Sequence, residues 1–164
     1  MKSKLFNNLL LFSLFGIALY SFGILYEGVI YGPKLLDVSM ERMHFWKDFT
    51  SIISPVIYYV PWVYLATIVL VVLYFKASKE KPELKKRLRF ASIFQIASLM
   101  LTIYILVQIN FKMSFSNLEK YAGEIPGKVF LFNILSITRV ALAAMGLTFI
   151  FKAYIQTQQA QEAT

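Results

Sequence analysis

Val129–Phe151, VFLFNILSITRVALAAMGLTFIF, is an apolar run with one charge in it, Arg139. At 1.5 Å rise per residue such a run covers roughly 35 Å, enough to cross a hydrocarbon core of about 30 Å. An arginine near the middle of such a span costs about 2.5–3.5 kcal/mol on insertion scales, so it needs a partner or a hydrated cavity. Asn133, Ser136, Ala143 and Gly146 share one arc of the helix with Arg139. A span that is polar and small on one arc turns that arc toward other helices, not toward acyl chains.

Three further runs carry no charge at all: Leu5–Tyr26, Phe49–Phe75 and Phe90–Phe111. Hydrophobic residues make up 58% of the 164-residue chain and charged residues 16%, too apolar for a water-facing surface. Helices satisfy their own backbone groups in lipid, where open strands cannot. The fold class expected is therefore all-α: a polytopic, antiparallel four-helix membrane bundle. It forms a single integral membrane domain over 1–164, with spans at about 5–31, 55–76, 88–111 and 128–153. The first run is long for a signal peptide and lacks a clear cleavage site, so it is expected to be retained as a span.

The net charge of +8 is unevenly placed. Ten basic and three acidic residues fall with the two termini and the 76–89 loop, while the opposite loops hold six of each. Basic residues in short loops stay cytoplasmic. Both termini and the 76–89 loop are expected in the cytoplasm of a bacterial inner membrane. The loop offers few aromatics and no binding motif, which sets nucleic acid aside in favour of anionic lipid heads. The absence of cysteine excludes disulfides, thiolate metal sites and cysteine nucleophiles.

On the first span Gly16, Tyr20, Gly23 and Glu27 share a face, a seam where a neighbouring helix can approach closely. Glu27 lies at the outer end, where it either reaches water or turns inward to pair with a cation. The second span crowds Tyr58, Tyr59, Trp62 and Tyr64 into its outer third, as an aromatic belt or a surface for a flat hydrophobic ligand. Pro61 removes one backbone donor there. The third span carries Ser92, Gln95, Thr102 and Asn110 as an inward polar stripe. Arg139 then either clamps to carbonyls, Tyr20 or third-span amides, or anchors a polar ligand group.

Residues 38–53 read as an amphipathic interfacial helix with Phe45, Trp46, Phe49, Ile52 and Ile53 on its apolar face. Glu41, His44 and Asp48 lie on the other side. One histidine cannot build a di-iron site, and a mononuclear site from these three is the remaining metal alternative. No metal or cofactor is expected. His44 also has the right ordinary pKa for a general base. The 112–128 stretch reads as a turn-rich loop, and Gln156–Thr164 as a polar, frayed tail.

Span length and spacing, Pro33 after the first span, Asn110 at the end of the third and Arg139 in the last resemble the anthrone-oxygenase-like family of four-helix membrane proteins. That family closes its third span with Asn-x-Pro-x-Asn, where this chain has Asn110-Phe-Lys-Met-Ser114. It places Trp and Asn or His before the last-span arginine, where Phe132 and Ser136 stand here. The resemblance implies cofactor-light oxidation of a lipophilic molecule with His44 or Glu27 as base. The reading from residues alone is an outer-leaflet pocket for a lipophilic small molecule, lined by Arg139, Asn110, Asn133 and Glu27 with Tyr58 and Trp62 nearby. The other reading is a non-enzymatic accessory or assembly subunit, with small-residue seams meeting a second copy or a membrane partner. Whether the protein is an enzyme stays open at this level.

Overall fold

In each long helix the buried positions alternate steps of three and four. In a computed structural model, which describes residues 3–34, 39–52, 56–78, 81–115 and 118–162, α1 runs Ser3–Lys34, α3 Val56–Lys76, α4 Pro82–Ile105 and α5 Ile125–Glu162. A shorter helix, α2 (Met40–Ile52), follows α1. The interior series are Leu10, Ser13, Ile17, Tyr20, Ile24, Glu27 on α1 and Tyr59, Val63, Ala66, Leu70, Leu73, Ala77 on α3 and just beyond. On α4 they are Leu84, Leu88, Ala91, Gln95, Ser98, Thr102, Ile105, and on α5 Val129, Phe132, Ser136, Arg139, Ala143, Gly146, Ile150, Ala153. A 3.5-residue repeat keeps one seam facing its neighbours along the whole length, the geometry of left-handed bundle packing.

The register is antiparallel. Gly16 sits against Ala66 and Gly23 against Tyr59, so α1 and α3 run oppositely. Gly146 meets Ala91 and Gln95, while Arg87 Nη1 donates to the Lys152 carbonyl at 2.8 Å, so α4 and α5 run oppositely too. α1 packs between α3 and α5, and α4 closes the ring from the far side. Among the described residues there is no strand. α1, α3, α4 and α5 are each long and apolar enough to cross a membrane, so this is a multi-pass membrane protein.

At the two glycines the approach is too close for a side chain. A Cβ on Gly16 would stand 2.6 Å from Ala66 Cβ, and one on Gly23 2.5 Å from the Tyr59 ring. The two glycines of the expected seam on the first span thus lie at the α1–α3 interface.

Several expected boundaries move. α4 begins at Pro82, so most of the basic stretch is helical, with Pro82 at a first-turn position where its missing N–H costs nothing. After Ile105 the chain continues as a π-helix over Leu106–Phe115, then a 3₁₀-helix over Glu119–Glu124, where a turn-rich loop was expected. The tail expected to fray is helical through Glu162. α2 matches the expected helix in extent, but Phe45 is 56% exposed, and among the described side chains of α2 Met43 is the one that is buried. Met43 joins Ile105, Ile109, Leu118, Ile125, Val129 and Phe132, so α2 is tied to the end of α4 and the start of α5.

Candidate functional site: a buried charge pair in the bundle

The heptad places Glu27, Tyr59 and Arg139 at interior positions of three different helices. Glu27 is 5% exposed and Arg139 2%. Arg139 Nη2 donates to Glu27 Oε2 at 2.5 Å, and the Tyr59 hydroxyl donates to Glu27 Oε1. The carboxylate therefore engages both oxygens, and an ion pair to α5 with a hydrogen bond from α3 ties α1, α3 and α5 together. The reading of Glu27 as a water-reaching terminal carboxylate is overturned. A mid-span guanidinium needs a counter-charge more than a carboxylate near a span end needs water. Tyr59 likewise leaves the aromatic belt, since its ring is buried and its hydroxyl has an interior acceptor.

One level nearer the basic end lies a hydroxyl cluster. Ser98 Oγ donates to the Arg139 carbonyl at 2.9 Å, and Thr102 Oγ1 donates to the Ser98 carbonyl at 3.0 Å. With both protons committed, the Tyr20 hydroxyl serves as donor to Thr102 Oγ1 at 2.6 Å, with Ser98 Oγ at 2.9 Å. The Tyr20 and Tyr59 rings meet edge-on at 5.9 Å, linking this cluster to the charge pair. Ser98 was not among the residues singled out from the sequence. Its offsets of three from Gln95 and four to Thr102 were the signal that would have found it.

Arg139 is not saturated. Its Nε, and Ser136 Oγ one turn earlier on the same helix, are buried without a hydrogen-bond partner among the described residues. Buried polar atoms in that condition are uncommon and mark water, ions or ligand contacts.

The other candidate residues do not converge on this point. Asn133 is part-buried and its amide donates to the Val129 carbonyl of its own helix at 3.1 Å. Asn110 is part-buried on the π-helix, while its neighbour Ile109 takes the interior position. Trp62 is 50% exposed on the outer face of α3, and Tyr64 is also exposed. The Tyr58 side chain lies outside the described residues, as do those of Trp46 and Phe49.

His44 belongs to a separate surface pair, with Nε2 3.2 Å from Glu119 Oε1 and both side chains well exposed. The two residues proposed as bases, His44 and Glu27, therefore have different partners and share no contact. Among the described residues no three His, Cys, Asp or Glu side chains gather in a metal-holding group, so Glu41, His44 and Asp48 do not assemble as one.

The fold and the site together define a multi-pass helical membrane protein with a charge pair and a hydroxyl cluster enclosed in its bundle. Comparison with protein families, with curated proteins and with solved structures finds no match for this chain.

Proposed function

We propose that this protein binds a small lipophilic molecule within the bundle, and that the bound head is a neutral hydrogen-bond acceptor. The observation that carries this is the pair of unpartnered buried groups, Arg139 Nε and Ser136 Oγ, beside an ion pair that is already neutral. Adding an anion would leave a net buried negative charge, a cost of several kcal/mol. A carbonyl oxygen avoids that cost and accepts from both donors. An apolar body suits the surrounding bundle, where a few placed polar groups fix orientation.

The charge distribution supports an orientation with both termini cytoplasmic. For the oxidation that the anthrone-oxygenase resemblance implies, Glu27 would have to take a proton while it accepts from Tyr59 and Arg139. Binding without chemistry asks nothing of that carboxylate.

A second reading, a non-enzymatic accessory or assembly subunit, draws on the other side of the same geometry. Glu27 holds three helices at once, as a purely structural clamp would. Native mass spectrometry of protein purified in mild detergent separates the two. The binding reading expects a lipophile of a few hundred daltons on the wild type and its loss from Ser136→Ala. Bare chains, or chains carrying a second protein and no small molecule, favour the subunit reading.

A further inference from the structure

A second set of unpartnered polar atoms lies deeper toward the basic end. Gln95 is fully buried, and both its amide atoms, Nε2 and Oε1, lack a hydrogen-bond partner among the described residues. Ser13 on α1 is in the same condition. The register that sets Tyr20 on Ser98 and Thr102 puts Ser13, seven residues earlier, at the level of Ala91 and Gln95. Gln95 Oε1 lies on the Gly146 side of α4, 3.7 Å from where a Cβ on that glycine would stand. Of the interior positions around this level, Ser13, Ala91, Ala143 and Gly146 are small, while Leu70 of α3 is a large one.

We infer that the Gln95 amide and Ser13 hydroxyl hold ordered water, as a binding site distinct from the one at Arg139. The chemistry selects the occupant. Two N–H donors, a carbonyl acceptor and a hydroxyl ask for a guest that both donates and accepts, as water does. An amide buried with none of its valences met is costly, by more than the hydrogen bonds between transmembrane helices ordinarily return. Apolar side chains flank this level on both sides. Leu10, Leu73, Leu88 and Ile150 pack toward the basic end, and Ile24, Val63 and Leu99 lie toward the other.

The water does not extend into a proton wire. Ser98 and Thr102, the hydroxyls next in line, donate to backbone carbonyls, which pass no proton onward. The site is a closed hydration point in the bundle, and it stands whether or not the Arg139 site binds a lipophile.

Solid-state NMR of ¹⁵N-labelled protein in proteoliposomes tests this through magnetisation transfer from water protons to side-chain amides. The expected result is transfer to the Gln95 amide despite its burial, with that signal identified by its loss in Gln95→Met. Where that variant fails to insert, Ser13→Ala identifies the signal through a shift and weakens its transfer. A Gln95 amide that receives nothing from water, while the exposed Gln108 amide in the same sample does, overturns the inference.

Discussion

Removing one member of the Glu27–Arg139 pair should harm the protein more than removing both. In Glu27→Gln the guanidinium stays at its mid-span position, between Lys128 and Lys152 at about 16 and 20 Å along the helix, too far to reach water easily. Breaking a buried pair from one side costs about 3–5 kcal/mol, because an uncompensated charge is left behind. Arg139→Met strands a carboxylate instead. That group can take up a proton and keep its bond to Tyr59, so the expected loss is smaller, about 2–3 kcal/mol. In the double variant no unpaired charge remains and the amide at position 27 can still accept from Tyr59, so the expected loss is about 1–2 kcal/mol. The cycle should therefore show a coupling of roughly 3–7 kcal/mol. Unfolding by sodium dodecyl sulfate in mixed micelles, followed by tryptophan fluorescence, reads each corner. Additive single losses, with the double variant as unstable as their sum, would refute the reasoning and mean the two charges do not hold each other.

The glycine seam gives a second, sharper contrast. Gly16→Ala forces a Cβ to within 2.6 Å of Ala66 Cβ and should lower stability by about 1–3 kcal/mol, whereas Gly28→Ala meets nothing within 4 Å and should be neutral or gain up to about 1 kcal/mol from helix propensity. Thermal melts in one detergent decide it, and equal effects at the two positions would remove the close α1–α3 approach. Because the chain has no cysteine, single probes report topology cleanly. Ser78→Cys should label only after the cytoplasmic side is opened and Ala122→Cys from outside intact cells; the reverse pattern inverts the orientation.

How much of the fold and the site was legible varied with the physics of each element. The four spans could be read because an uncharged run of that length is rarely anything but a membrane-crossing helix, and the short helix between the first two because its apolar and charged residues fall at helical spacing. Their ends could not. A charged segment such as Pro82–Arg89 stops being a membrane span without ceasing to be a helix, and the polar Gln156–Glu162 stretch does the same. Arg139 announced itself as the costly residue, and its need for a partner followed. That the partner was Glu27 did not, because the two are 112 positions apart and only the packed register brings them together. Reading Tyr59 with the aromatic belt failed for a related reason. Tyr58, Tyr59, Trp62 and Tyr64 look alike in composition, and helix phase alone sends Tyr59 inward while Trp62 faces outward.

That phase was nevertheless written in the chain, in a form opposite to that of a water-soluble bundle. In water, apolar residues mark the buried face. In lipid both faces are apolar, so Phe15 and Phe22, exposed, differ little in hydropathy from Ile17 and Ile24, buried. The information passes to the polar and small residues, which gain only by facing another helix. Ser13, Tyr20 and Glu27 fall seven apart, as do Gln95 and Thr102, Ser136 and Ala143, and Arg139 and Gly146. Each pair fixes a seam, and the seams together fix which helices meet. Apolar packing alone would tolerate a rotated α5, since Ile134 or Ile137 could replace Ser136 inside at no cost in hydrophobicity. Such a rotation would turn Arg139 toward acyl chains, so the arginine excludes it. The residue most expensive to place in a membrane is thus the one that most narrowly specifies how this bundle is assembled.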